Sequence, residues 1–308
     1  MSGLLYRDYP AVIRDLSATE FDIRNDEAPE HPGITYRVDG AQYRWSGTTW
    51  VATPSVGVSG TASSTLTGPD GETVSLHNPR TTFRLFDDFE GTWAIGDAGP
   101  ADRWGSTAGS GAGAEVATTV AASLGGHITL KSSSADAAIS ANLSTFTSIG
   151  LAYKANQGGL SIEARLKLSD ISEAYLFVGF TDTIHSTREA PIFLVAADID
   201  SDATDACGVC YDVDGTTKEF FHGGVKNNTD TVPAYSGGAP VDDTFFTVRV
   251  EVSSAGAVQG FINGQPIGVA VANAVTATVA LTPAIFVANR SANQVIATID
   301  YVDVLQNR

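Results

Sequence analysis

The sequence predicts an all-β protein, an antiparallel β-sandwich preceded by a small three-stranded β-meander and a linker. Three observations predict it. Short runs alternate apolar and polar residues, most cleanly at 160–168, where Leu160, Ile162, Ala164, Leu166 and Leu168 interleave with Ser161, Glu163, Arg165 and Lys167. That period of two belongs to a strand with one buried face. Such runs recur from Phe83 onward, punctuated by Gly, Asn, Asp and Pro, with no sustained helical period. Asp-Gly and Asn-Gly dipeptides separate several of them, and these residues tolerate the positive φ of tight hairpins.

Residues 1–34 are mixed and charged. A short helix is expected at 18–24, with Ser17 as N-cap and Glu20 three residues on, and the prolines and glycine of EAPEHPG (27–33) end it. The stretch TYRVDGAQYRWSGTTWVAT (35–53) then repeats an aromatic, a charge and a turn. It predicts strands at 35–39, 41–46 and 48–52 around Asp39-Gly40 and Ser46-Gly47. Such a meander is not stable alone in water. Tyr36, Tyr43, Trp45 and Trp50 are therefore the candidate attachment or oligomerisation residues, covered by another subunit or a particle, or alternatively by residues 1–30. Residues 1–53 form the anchoring segment. Residues 54–82 are rich in Gly, Ser, Thr and Pro and read as a linker or extended arm, because they cannot bury enough apolar area to offset ordering entropy.

Residues 83–308 carry the sandwich. The clearest strands fall at 160–168, 175–180, 192–196, 208–213, 245–253, 258–262, 285–288 and 296–305, with hairpin turns at Asp214-Gly215 and Asn263-Gly264. The apolar stretch 267–288 reads as two buried strands, since Asn273, Thr276, Thr278, Thr282 and Pro283 interrupt it; no membrane span is expected.

The composition excludes some partners. With 18 Lys and Arg against 35 Asp and Glu, the formal charge is -17. Nucleic acid is not an expected partner, because its phosphates must be neutralised by cations. The same excess keeps copies soluble and apart. The first residues lack the basic start and apolar run of a signal peptide. With only two cysteines, the sequence predicts assembly in a reducing cytoplasm.

Candidate chemistry is sparse. Cys207 and Cys210 form a CxxC in a strand context, where positions i and i+3 face opposite sides about 10 Å apart, so neither a disulfide nor a redox pair is expected. Asp198, Asp200, Asp202 and Asp205 lie in one acidic loop. It reads first as solvated turn residues and second as a calcium site, calcium being the one cofactor considered. Trp93, Trp104, Tyr211 and Tyr235 are the candidate glycan platforms, since sugar sites combine aromatic surfaces with polar groups; the two tryptophans equally suit core positions. Glu163 and Glu251 each stand two residues from an arginine and read as halves of cross-strand ion pairs, Glu163 with Arg249 and Arg165 with Glu251. His127, His185 and His222 lack metal-ligand spacing and read as surface or turn histidines. No catalytic residue is assigned.

FDDFEGTW (86–93), GLSIEARLKL (159–168), YLFVGFTDT (175–183), DACGVCYDVDG (205–215), FFTVRVEVSSAGAVQGFINGQPIG (245–268) and IATIDYVDVLQ (296–306) together resemble the concanavalin-A-like lectin/glucanase, laminin-G-like jelly roll. The version resembled is the one in bacteriophage virion proteins. The resemblance implies that the first and last strands pair, bringing LFDDFEG beside TIDYVDVL. Glucanases of this fold carry Glu-x-Asp-x-x-Glu on one strand, and that spacing is absent here, so the resemblance implies a binding or structural domain and not an enzyme. Tyr-Arg-x-Asp-Gly followed by Trp-x-Gly-Thr-x-Trp resembles small repeats of phage fibre and spike proteins. The implied protein is a virion surface component (head decoration, fibre or spike), synthesised in the host cytoplasm and homo-oligomeric, with a trimer favoured. Its implied partners are other capsid or tail proteins. The alternative implied is a tail protein that binds a host surface glycan; a glycan hydrolase is third.

Overall fold

A computed structural model describes residues 82–89, 104–119, 126–135, 138–148, 150–236 and 238–307, together with six short strands before residue 76. The chain divides into two compact units, Met1–Leu76 and His77–Arg308. In the first, β1 (Ile13–Leu16), β2 (Thr35–Val38), β3 (Ala41–Trp45) and β4 (Trp50–Thr53) form one sheet in that order. β2, β3 and β4 are the expected meander. β1 is an unanticipated fourth strand and runs parallel to β2. The helix expected at 18–24 lies outside the described residues. Within the segment read as a linker, β5 (Thr65–Thr67) and β6 (Thr73–Ser75) pair as a hairpin.

The second unit is an antiparallel jelly roll. Its strands begin with β7 (Thr82–Asp87), β8 (Trp104–Thr107), β9 (Glu115–Thr119), β10 (Ile128–Lys131) and β11 (Ser144–Ser148). β12 (Leu160–Leu168), β13 (Ala174–Thr181), β14 (Phe193–Val195), β15 (Asp198–Asp200), β16 (Ala206–Asp212) and β17 (Phe221–Lys226) follow. β18 (Thr229–Asp230), β19 (Ala234–Tyr235), β20 (Phe246–Val252), β21 (Val258–Ile262), β22 (Gln265–Pro266), β23 (Thr282–Asn289) and β24 (Ile296–Asn307) complete it. One sheet runs β22-β21-β20-β12-β24-β10-β9, with β7 also on β24; the other runs β18-β17-β16-β13-β23-β11-β8, with β19 on β17.

β24 organises the first sheet. One of its edges pairs with the whole of β12. The other is shared, by β10 along Ile296–Ile299 and by β7 along Val302–Asn307. The first and last strands of the sandwich therefore pair as expected. Asn263-Gly264 closes the β21–β22 hairpin with φ of 50° and 76°, a primed turn. Asp214-Gly215 lies in the connection between the antiparallel pair β16 and β17 but does not form a tight two-residue turn. Residues 213–220 separate β16 from β17, because Asp212 turns the chain by accepting from the Asp214 amide (3.2 Å), and Gly215 bridges Ala196 instead. Only β23 forms a strand within the apolar stretch 267–288; its other residues contribute two isolated bridges, Val258↔Val271 and Tyr153↔Leu281.

The two sheets differ in their outward faces. β12 and β20 alternate buried and accessible residues, so their sheet has one face open to water. β13, β16 and β23 are buried throughout. Their inner face joins the core with Ile162, Leu166, Val250 and Val304, while Tyr175, Phe177, Cys210, Phe221 and Phe286 pack outward against Ile192, Leu194 and Ile199 from the β14–β15 segment. Burial on both faces explains why these strands read as continuous apolar runs. We call the two layers the open sheet and the covered sheet.

Two features hold the covered layer. Gly179 and Gly208 face each other across β13 and β16, with the Phe177 ring over them. A Cβ on Gly208 would stand 2.5 Å from the Val178 carbonyl oxygen and 2.7 Å from that ring. Further out, Arg290 donates Nε to Asp212 Oδ1 (2.9 Å) and Nη2 to Oδ2, and the same carboxylate accepts the Leu194 amide (2.8 Å). Burial pushes the Asp212 carboxyl above the usual range, while the Arg290 fork and the amides oppose that rise. The pair joins β14, β16 and the end of β23 in a place closed to water.

Gly208→Ala should therefore lower stability by about 2 kcal/mol, as overpacking does, read as a reduced urea midpoint. Asp212→Ala should cost about 3–5 kcal/mol by leaving a buried guanidinium, and the double change with Arg290→Met should recover much of the loss.

Candidate functional site

The open face is built by strand alternation and one irregularity. Outward positions carry Glu163, Arg165 and Lys167 on β12, Arg249 and Glu251 on β20, Phe261 on β21, and Arg84 and Phe86 on β7. Between Arg165 and Leu166, the pairing of β12 with β24 slips by one residue, so Asp300 is an extra residue on β24. A bulge of this kind lets two consecutive side chains share a face. Here Asp300 and Tyr301 both turn outward, at the place where β10 stops and β7 begins.

Around the bulge the groups interlock. The Tyr301 hydroxyl donates to Glu163 Oε1 (2.7 Å). Burial, reinforced by that carboxylate, pushes the phenol's pKa up. Asp300 meets Arg165 and, at 3.2 Å, His127 Nε2. Arg84 forks onto Asp303 with two bonds of 2.8 Å, which raise the guanidinium's pKa. Aromatic rings lie among these charges. Phe86, 44% exposed, is 6.1 Å from the Tyr301 ring and inclined to it by 33°. Phe245 lies under the Arg165 guanidinium (4.3 Å) and beside the His127 ring (5.7 Å), and Phe261 lies under Arg249 (4.2 Å). At the rim Lys167 meets Asp243 (3.1 Å) and Lys131 meets Glu115 (2.7 Å).

The face presents aromatic surfaces beside fixed hydrogen-bonding groups, the combination that binds polar ligands with apolar faces. Glycoside hydrolysis needs a carboxylic acid and a carboxylate flanking one bond. Here Glu163 is held by Tyr301 and Glu251 by Arg249 (3.3 Å), so the two residues serve the surface network. The expected cross-strand pairs are replaced. Glu163 does lie opposite Arg249, but that arginine turns along its own strand to Glu251, while Arg165 faces Thr247 and reaches Asp300.

The other predicted residues are dispersed. The register makes Tyr36 and Tyr43, and Trp45 and Trp50, direct cross-strand partners. Trp93 lies outside the described residues. Trp104 is core: 5% exposed, it donates Nε1 to Asp87 (3.1 Å) and stacks on Phe146 (4.7 Å). Tyr211 is buried too, its hydroxyl donating to the Ile171 carbonyl (3.1 Å). Tyr235 is half-buried against Phe221 (5.9 Å). These three do not form one sugar platform.

The acidic loop does not fit a calcium ion, which needs six to eight converging oxygens. Asp198 and Asp200 flank buried Ile199 on β15. Asp202 accepts the Ala190 amide (3.1 Å), and Asp205 turns inward to the Thr276 amide (2.7 Å). Among the described residues, no three His, Cys, Asp or Glu side chains are placed to hold a metal.

Of the histidines, His127 is partly accessible and His185 sits in a turn, as expected, while His222 on β17 departs from expectation. His185 and His222 are buried, and His222 bonds the Val269 carbonyl through Nε2 (3.0 Å) while burial lowers its pKa. Cys207 and Cys210 are free, buried thiols on opposite faces of β16, one in each apolar cluster.

Phe86, Tyr301 and Phe245 were not singled out by sequence reasoning. The available signal was the break in alternation at TIDYVD, where Asp300 and Tyr301 follow each other as outward residues.

No protein-family model and no curated protein matches the chain. Solved structures resemble its outline. A Shewanella oneidensis MR-1 protein of unknown function, SO2946, is 13% identical with a TM-score of 0.49, over 74% of this chain and 87% of its own. The Emp47p carbohydrate recognition domain is 8% identical with a TM-score of 0.48, over 74% and 98%. The endo-1,3-beta-glucanase of Streptomyces sioyaensis is 15% identical with a TM-score of 0.43, over 75% and 99%. Likenesses at these identities and TM-scores say nothing of what this chain does. No helix among the described residues is long and apolar enough to cross a membrane.

Burial pushes both thiol pKa values upward. Neither cysteine should react with a disulfide reagent in the native protein at pH 8, and both should react once urea unfolds it, as thiolate chemistry requires.

Proposed function

We propose that this chain is a non-enzymatic surface protein of a bacteriophage particle, a head decoration, head fibre or spike. Its N-terminal unit attaches to the particle, and its jelly roll projects outward and recognises a glycan through the open sheet. One observation carries the recognition half: the aromatic and hydrogen-bonding face around the β24 bulge, with Phe86 exposed on it. The attachment half rests on the repeat at 35–53, whose aromatic sheet, extended by β1, needs a cover for its apolar face. A homotrimer would supply one such cover. The formal charge of -17 would keep neighbouring copies from associating through their outer surfaces.

Immunogold labelling of intact particles with antibody against residues 83–308 tests the setting. Gold over the head or along fibres is the expected result. Gold confined to the tail tip would make the chain a receptor-binding protein, and particles without gold would overturn the virion assignment.

A further inference from the structure

The recognition reading leaves the chemical class of the glycan open, and the charge pattern of the open face bears on it. The face concentrates cations in an acidic chain, yet each is matched. Arg84 has Asp303, Lys131 has Glu115, Arg165 has Asp300, Lys167 has Asp243 and Arg249 has Glu251. Glu163, a carboxylate beyond these pairs, accepts from Tyr301. These five pairs and Glu163 sum to about one negative charge, although the chain carries -17. An anionic polymer would find each of these five cations already paired, and would meet the repulsion of the whole chain.

Exposed ion pairs contribute little to stability, because they lose side-chain entropy and are screened by water. Their concentration on one face is better explained by what the face holds still. A guanidinium fixed by a carboxylate still has N–H groups to donate, and the carboxylate has lone pairs to accept, both suited to neutral hydroxyls. Two aromatic surfaces, Phe86 with Tyr301 and Phe245, adjoin the polar group made by Asp300, Arg165 and His127. Sugar rings have an apolar face and a hydroxyl rim, and this array offers both kinds of contact.

Building on the recognition reading above, we infer that the open sheet binds a neutral oligosaccharide, laid over Phe86 and Tyr301 across the β24 bulge and beside the Arg165 guanidinium that covers Phe245. The covered sheet is not the binding layer, because its outward face is already occupied by Ile192, Leu194 and Ile199.

The test uses the full chain in affinity electrophoresis. The neutral gels contain dextran, a β-1,3-glucan or a galactomannan; the anionic gels contain alginate or hyaluronate. Intact host cells are assayed alongside. Retardation by a neutral polymer, unchanged between about 0.1 and 1 M salt, is expected. Phe86→Ala and Tyr301→Ala should each weaken it about tenfold, a loss within the range of one aromatic contact. Tyr301→Phe should retain more affinity than Tyr301→Ala, and circular dichroism will show that each variant folds. Retardation only by the anionic polymers, lost in salt, would overturn the neutral class and leave glycan recognition standing. Neutral binding that survives both alanine changes would place the site elsewhere. Failure to bind any neutral polymer would overturn the inference, and failure also to bind cells would overturn the recognition reading itself.

Discussion

The jelly roll depends on one strand having both edges filled. β24 hydrogen-bonds to β12 along one side and to β10 and β7 in succession along the other. An uncovered strand edge presents unpaired N–H and C=O groups, a costly condition in a sheet interior. β24 must therefore satisfy three partners. The bulge lies where its second edge passes from β10 to β7, so the irregularity is placed by topology. The outward pair Asp300 and Tyr301, and with it the aromatic face, follows from that placement.

The covered sheet obeys a different constraint. Both of its faces are apolar, so it needs a second cover besides the opposite sheet. The β14–β15 segment supplies it, clasped by the Asp212–Arg290 pair and by the Tyr175 hydroxyl on the Ile192 carbonyl (2.8 Å). A buried ion pair is weak evidence for stability, since desolvation offsets most of its attraction. Its contribution here is positional: Asp212 has partners on separate segments, and only one arrangement of those segments satisfies it.

Much of the sandwich was legible in its sequence because one-sided burial writes a period of two. β12 was read to the residue, and β13, β20, β21 and β24 to within a residue or two. β11 was not read, because all five residues of STFTS are buried and its serines and threonines satisfy themselves with internal bonds, such as Thr145 Oγ1 to the His185 carbonyl (3.0 Å). Burial of hydroxyls erases the polarity signal. The candidate face was less legible. Phe86 and Tyr301 are far apart in the chain and become neighbours only through the β7–β24 register, which a single sequence does not display. Trp104 was left between platform and core for a related reason. An indole signals a large surface, and only the fold shows that Asp87 and Phe146 take up both its polar and its apolar parts.

The order of the strands has a consequence for synthesis. β7, β10 and β12 all leave the ribosome before β24, the strand on which they converge, so none of them can complete its ladder until the last segment of the sandwich emerges. Long-range pairing of this kind is slow and leaves edges exposed while it waits. The sandwich should then close in a single late event instead of growing strand by strand, and the nascent chain must remain soluble meanwhile. Its dense negative charge, so far considered at the surface of the finished protein, would keep incomplete copies on neighbouring ribosomes from pairing with one another.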